Sequence, residues 1–303
     1  MRFSIITPAY DIEKWLPATI ESVLGQEGNF SIEYILVIND SPDNTLEIAK
    51  AYKHKLESGE IEIRCNSISM QIIEAGKPEG MYVAINEGFA KATGDIFAWI
   101  AGDDIYQPGA FAVMAKAFEK FPDIQWLKGI TATIGEQGER QRGGTCSIYH
   151  RDWLRLGVYG MEAYHVEQDS NFWRKEIWKK AGPFPGFYKS AGDYWLWPQM
   201  ATYARLWSIN APISAFRKRE GQDSRANSER LIRQKKQARG KRPLLAWIPR
   251  LFFYPYHHVS RRIQIYMEKL YPYVFPFRSR EYIEVENESL TKKIMPSFSI
   301  PAR

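Results

Sequence analysis

Short apolar runs alternate with helical periodicity over the first half of the chain. Phe3 to Thr7 reads as a buried strand, and Trp15, Leu16, Thr19, Ile20, Val23 and Leu24 then mark the inner face of a helix. Glu33 to Ile38 predicts a second strand. Ser41-Pro42-Asp43 starts a helix carrying Leu46, Ile48, Ala49, Tyr52 and Leu56. Ile61 to Cys65 predicts a third strand, Tyr82 to Ala92 a helix ended by Gly94-Asp95, and Ile96 to Ile100 another strand. Pro108 opens a helix running to about Phe121. This βαβα rhythm predicts an α/β fold with a mostly parallel, doubly wound sheet and right-handed crossovers. Ligands of such sheets sit beyond the carboxyl ends of the strands.

From Gln125 to about Phe216 the pattern loosens. Gly135-Glu136-Gln137-Gly138 reads as a hairpin turn, and helices are expected near 174–181 and 193–204. From about Asp223 the chain turns basic and helical, then aromatic and proline-punctuated, with an acidic patch at 281–288. The domain boundary is expected between 217 and 245.

Charge sharpens that boundary. The 303 residues carry a net +6, but the first 216 hold 21 Lys+Arg against 27 Asp+Glu, and the last 87 hold 20 against 8. Arg225 to Arg262 contains 11 basic residues and one acid, Glu229, interleaved with Leu244, Leu245, Trp247, Ile248, Leu251, Phe252, Phe253, Tyr254 and Tyr256. Basic residues beside an apolar, aromatic stretch suit an interfacial anchor on an anionic membrane. A nucleic-acid partner would use the same charges but gives Leu, Ile and Phe no role. A third reading is a solvated helix packed on the acidic core.

Two cysteines, Cys65 and Cys146, make no disulfide framework and read as free thiols of a reducing cytosol. The start, MRFSIITPAY, lacks the apolar core of a signal peptide. The longest greasy stretch, Pro243 to Tyr256, is broken by Arg250 and three prolines, short of the roughly 20 apolar residues a span needs. A cytoplasmic protein, peripheral at the inner face of the cell membrane, is expected.

Three predicted strands end in polar residues: Thr7-Pro8-Ala9-Tyr10-Asp11, Asn39-Asp40-Ser41 and Ala101-Gly102-Asp103-Asp104. Carboxylates gathered on one rim repel unless a cation or hydrogen-bond donors compensate, which implies a divalent metal or a polar ligand. Taken singly, each is also an ordinary cap or turn residue. No GxGxxG, GxxxxGK[ST] or GxSxG occurs, so backbone cradling of phosphate and a serine nucleophile are excluded. What remains is a nucleotide held by side chains and a metal.

The segments SIITPAYD, VINDSPDNT, GMYVAINEGFAKATGDIFAWIAGDD and AGDYWLW closely resemble, in order, the motifs of family 2 glycosyltransferases, enzymes of the Rossmann-like GT-A fold. The resemblance covers about residues 1–222. It implies a nucleotide-binding half at 1–124 and an acceptor-binding half at 125–222, followed by a basic, aromatic, largely helical extension at 223–303. By resemblance Thr7, Pro8, Ala9, Tyr10, Asp40, Gly80, Asn86, Gly102 and Asp103 hold the donor. The charges of Arg217, Lys218 and Arg219 in FRKREGQDS would add to a diphosphate clamp, the arginines above all; their other reading is a solvated basic turn. Asp103 and Asp104 are the metal candidates, for Mg²⁺ or Mn²⁺, which would neutralise the leaving phosphate. Asp193 matches the family's general base; its other reading is a helix N-cap. Gln168, Trp173 and Trp195 fall on the acceptor side.

Two departures stand out. Ala101 occupies the first position of the family's DxD motif, and the strand-two motif is one residue shorter than the usual form, which suits Asp40 better than Asp43. The implied activity is inverting, metal-dependent transfer from a nucleotide sugar, UDP- or dTDP-linked by preference. The acceptor would be a hydroxyl of a glycan or lipid-linked glycan, in surface polysaccharide biosynthesis. The alternatives are a catalytically weak nucleotide-sugar-binding protein, conceivable because of Ala101, and a nucleic-acid-associated protein.

Overall fold

The computed structural model describes residues 1–77, 79–161, 163–222, 228–240, 244, 247–274, 280–287 and 289–301. Strands β1 (Arg2–Ala9), β2 (Gly28–Ile38), β3 (Cys65–Glu74) and β4 (Ile96–Trp99) run parallel in the order β3-β2-β1-β4. Between them lie helices α1 (Leu16–Leu24), α2 (Thr45–Glu57) and α3 (Met81–Lys91). Register sets the rim: Ala9 lies opposite Ile38, and Ile6 opposite Trp99. The carboxyl ends of β1, β2 and β4 therefore open side by side.

Both faces of this sheet are covered, because successive side chains of a strand point to opposite faces. Phe3 and Ile5 pack with Leu16 and Ile20 of α1 and with Phe111 and Phe118 of α4 (Ala110–Lys120). Ile6 and Ile35 pack on the other side with Tyr82, Ile85 and Phe89 of α3. The doubly wound expectation holds for this half. The third strand does not fall at Ile61 to Cys65; it begins at Cys65. β3 is an edge strand packed mainly through Ile68, Met70 and Ile72, so its residues largely alternate, and the exposed Ile63 belongs to the preceding loop.

The second half adds strands without a clear apolar signal. β5 (Ile105–Tyr106) precedes α4. After it come β6 (Trp126–Ile134), β7 (Arg140–Arg142), β8 (Thr145–Ser147), α5 (Arg151–Arg155), β9 (Asn171–Arg174), α6 (Lys175–Ala181), α7 (Gly192–Tyr203) and β10 (Leu206–Arg217). β9 is wedged antiparallel between β4 and β6, β10 runs parallel beside β6, and β7 closes the expected hairpin around residues 135–138. The sheet is thus mixed in this half.

Beyond it lie α8 (Ser228–Arg239), α9 (Trp247–His258) and α10 (Arg261–Val274), then β11 (Glu281–Glu286), β12 (Ser289–Ile294) and β13 (Ser299–Pro301). Helices fill part of 223–303, and strands not expected there follow them. β11 pairs with β10 and β12 with β11, extending the sheet to eleven strands, while β13 pairs with β8. The acidic patch lies largely in β11, where Glu284 is buried and accepts from Asn210 Nδ2 at 3.0 Å. Part of the expected boundary, and Leu245, lie outside the described residues. Among the described residues no helix is long and apolar enough to cross a membrane.

Phe253 of α9 is fully buried, its ring 5.5 Å from Tyr164 and 5.2 Å from Phe298. Truncating such a ring removes burial and leaves a cavity, so Phe253→Ala is expected to cost about 3–5 kcal/mol of global stability. Urea denaturation followed by tryptophan fluorescence tests this; a core transition unmoved by the substitution would show that α9 is not integral to the fold.

Candidate active site

The three strand ends meet at one rim. After β1, Asp11 takes a positive φ of 51° and donates its N–H to Ser41 Oγ at 2.8 Å. Asp43 accepts from Glu13 N, Ser41 Oγ and Thr45 N, so it fixes the β1 loop against the start of α2. These bonds outweigh burial and hold its carboxyl below the usual carboxylate range. Asp43 is structural, and Asp40 is left exposed at the end of β2, its side chain bonded to no described residue. Tyr10 is exposed beside it.

After β4 the chain passes Ala101 and Gly102 to two buried aspartates. Asp103 Oδ2 accepts Arg219 Nε at 2.6 Å, and the guanidinium of Arg219 rests on the Trp15 ring at 4.7 Å. Asp104 Oδ1 instead accepts the backbone N–H of Arg217 at 2.7 Å. The Asp104 and Asp169 carboxyl groups also hydrogen-bond to each other. Burial, then the neighbouring carboxylates, push Asp104 well above the ordinary range. Burial lifts Asp169 to about 6. The pair is therefore a buried proton-sharing contact.

Asp193 lies in the first turn of α7, where the helix dipole favours negative charge. The residue before the helix is Ala191, so Asp193 is not its cap. Its Oδ1 accepts the Tyr82 hydroxyl of α3 at 3.1 Å. Burial, then the charge of Asp193, raise the Tyr82 pKa well above the usual phenol value, which keeps the proton on Tyr82. Trp195 is half-buried on the same helix, 6.2 Å from Tyr188. Gly80 opens α3 at a φ of 118°, and a side chain there would meet the Lys189 chain, whose Cδ is 2.8 Å away.

Several expected contacts are corrected by this geometry. Thr7 is fully buried and accepts from Tyr34 Oη at 3.1 Å. Pro8 and Ala9 are buried too, which leaves Tyr10 as the exposed side chain of that loop. The Asn86 amide is spent on both backbone groups of Phe184, at 2.8 and 2.9 Å. Trp173 has no exposed surface and packs on Trp99 and Trp197, so it cannot touch an acceptor. Gly102 is buried, its carbonyl bonded by Thr19 Oγ1, and a side chain there would lie 3.5 Å from Pro8 O. It is a close-packing position joining the β1 and β4 ends. Gln168 donates to Trp99 O at 2.7 Å, bracing the end of β4. Arg217 is buried, its Nε and Nη1 committed to the carbonyls of Asp103, Gly135 and Glu136. It braces the rim and does not face a donor.

A metal pair at Asp103 and Asp104 fits this donor set poorly. Asp104 is committed inward, Ala101 offers a methyl group, and Asp103 Oδ2 holds a guanidinium. Among the described residues no group of three or more His, Cys, Asp or Glu side chains converges as a metal site. Mg²⁺ and Mn²⁺ require hard oxygen ligands, and of the two aspartates after β4 only Asp103, already paired with Arg219, turns a carboxylate to the rim.

Residues that the sequence reading missed stand next to the site. Trp15, read there as an inner-face helix residue, supports Arg219. Gln234 of α8 accepts Lys189 N and Ser190 N, and donates to Phe187 O. It thereby clamps the loop leading into α7. Lys235 is buried beside it, where desolvation lowers its pKa and the Asp193 charge opposes that fall. Polar residues on a basic helix carry no periodic signal that separates a clamp from a solvated face. Concavities of about 350 and 390 Å³ open beside Met1 and Asp95 at the amino ends of the strands, away from this rim.

Residues 4–182 match the family model described as glycosyl transferase family 2. The minor teichoic acid biosynthesis protein GgaB of Bacillus subtilis is 32% identical over 120 residues, covering 39% of this chain and 12% of its own length. The glycosyltransferase AglE of Haloferax volcanii is 25% identical over 214 residues, 66% of this chain and 61% of its own length. The chain thus spans less than two thirds of these relatives. Among solved structures, S. aureus TarS 1-349 in complex with UDP is similar at a TM-score of 0.56 and 17% identity, covering 98% of this chain and 99% of that one. Mannosyltransferase PcManGT from Pyrobaculum calidifontis, in complex with GDP-Man and Mn²⁺, gives 0.57 and 16% over 88% and 72%. These structures share the fold.

The proton-sharing pair sets a pH signature. Both carboxyl pKa values are raised in the folded state, so their stabilisation is full below the ordinary value near 3.8 and is lost as pH rises through the folded values; for Asp169 that means from pH 3.8 to about 6. Asp169→Asn is expected to remove the Asp169 share, leaving the variant about 1–3 kcal/mol more stable than wild type at pH 8 but not at pH 4. Urea titrations at both pH values measure it, and an equal effect at each would contradict the shared proton.

Proposed function

The chain belongs to glycosyl transferase family 2, and on that premise we propose that it transfers a sugar from a nucleotide sugar to a hydroxyl of a glycan or lipid-linked glycan, with inversion, in surface polysaccharide biosynthesis. The geometry at Asp193 carries this reading: a half-buried carboxylate in the first turn of α7, oriented by a Tyr82 hydroxyl that keeps its proton. In the proposed step the acceptor hydroxyl gives its proton to Asp193, its oxygen bonds to the sugar C1, and the bond from C1 to the diphosphate oxygen breaks with its electron pair. One base and one displacement suffice, which inverts C1. Asp40 and Tyr10 would meet the nucleoside at the exposed ends of β2 and β1. The curated relative GgaB is named for teichoic acid biosynthesis and TarS is solved with UDP, which supports a polymer of the cell surface and a uridine donor.

Asp193→Asn is expected to lower kcat about 10²–10⁴-fold with donor KM little changed, in an assay of sugar release and transfer across UDP-, dTDP- and GDP-sugars. Undiminished transfer would remove Asp193 from the mechanism.

A membrane-bound acceptor is supported by α9 and α10. Trp247, Ile248, Leu251 and Tyr254 are exposed at helical spacing, as are Ile263, Tyr266 and Leu270, with Arg250 and Lys269 on the same two helices. An apolar stripe rimmed by cations suits an anionic bilayer surface. In flotation assays the protein is expected to follow phosphatidylglycerol vesicles and not phosphatidylcholine ones, and Leu251→Glu is expected to weaken that association several-fold. Equal flotation with both vesicle types would contradict a charge-assisted anchor.

A further inference from the structure

Resting on the transferase reading above, we propose that Arg219 is the resident cation that meets the donor diphosphate, so that this chain binds and uses a nucleotide sugar without a divalent metal ion. When the bond from C1 breaks, its electron pair stays on the diphosphate, whose growing negative charge needs a fixed positive partner. Arg219 is fixed on two sides. Its Nε donates to Asp103 Oδ2 at 2.6 Å, and its Cζ lies 4.7 Å from the Trp15 ring centroid. Its Nη1 reaches only Glu220 O, at 3.4 Å, and among the described residues nothing accepts from its Nη2. One edge of the guanidinium therefore remains for phosphate oxygens. The side chain keeps 20% of its surface exposed, whereas Arg217, two residues earlier, is enclosed and bound to carbonyls.

Planar guanidinium groups bind phosphate through paired N–H bonds, and holding one edge on a carboxylate orients the other edge before the ligand arrives. The same ion pair works against a metal. A divalent cation on Asp103 would sit beside the positive charge of Arg219 on one carboxylate, and the two would repel. The flanking motif positions do not offset this: Ala101 has no side-chain oxygen and its carbonyl accepts the Asp104 N–H, while Asp104 faces Asp169 and the Arg217 N–H. The rim thus supplies one positive group already seated where a bridging metal would need two or more ligands.

The test is calorimetric titration of the full chain with UDP, dTDP and GDP, in excess EDTA and then in Mg²⁺ or Mn²⁺. Binding in EDTA within about threefold of that with metal is expected, together with an affinity loss of about tenfold or more in Arg219→Gln. Arg219→Lys, which keeps the charge and loses the planar edge, is expected to fall between the two. Thermal denaturation of each variant separates lost binding from lost folding. Binding seen only with a divalent cation, or wild-type affinity in a folded Arg219→Gln, overturns the proposal and leaves the transferase reading standing. Binding of no nucleoside diphosphate under either condition overturns both.

Discussion

Arg217 closes the rim by joining three segments that are distant in sequence. Its backbone N–H reaches Asp104, its Nε reaches the carbonyl of Asp103, and its Nη1 reaches the carbonyls of the hairpin turn at Gly135 and Glu136. A guanidinium taken this far from water is tolerated only when its donors are met, and here carbonyl dipoles meet most of them. The consequence is positional. The chain after β4 cannot shift against the end of β10, so Asp103 faces the rim at a set height while Asp104 is held inward. Asp104 can remain there because it shares a proton with Asp169; two bare carboxylates so close would repel.

Two arginines that read alike in the segment FRKRE therefore have opposite tasks. Burial and carbonyl partners make Arg217 part of the scaffold, and partial exposure with a carboxylate partner leaves one edge of Arg219 open at the rim. Sequence spacing could not separate them, because the distinction is made by what the β6–β7 turn and the β4 end place beside each one.

That contrast also shows how far the residues alone could be read. β1, β2 and β4 were legible because strands buried on both faces need continuous apolar runs, and their polar ends announced the rim with Asp40 and Asp103 on it. β3 was misplaced because an edge strand needs only alternate apolar residues. β9, β10, β11 and β12 were not read as strands; polar residues such as Asn171, Asn210 and Glu284 find hydrogen-bond partners there that lie far along the chain. Within the motifs, outward-facing and architectural residues are mixed. Asn86 and Thr7 belong to motif segments but serve Phe184 and Tyr34, and Trp173 fills the core between Trp99 and Trp197. A motif names the neighbourhood of a site, and hydrogen-bond partners decide which of its members face outward.

The basic C-terminal segment resolves in the same way. Its charge looked like one surface, but α8 directs several polar groups into the protein. Arg230 bonds Ser190, Gln234 holds the backbone at residues 187, 189 and 190, and Lys235 reaches the Gly160 carbonyl at 3.3 Å. The loop so held leads directly into the turn that carries Asp193. α9 and α10 differ: their inner face, through Phe253 and Tyr271, joins the aromatic core, and their outer face keeps large apolar residues in water. Water-facing tryptophan, leucine and isoleucine at helical spacing are costly to leave uncovered, whereas a brace such as α8 has no such need. Among the described residues the segment thus contains one helix that braces the loop before Asp193 and a helical pair that ends in an uncovered surface.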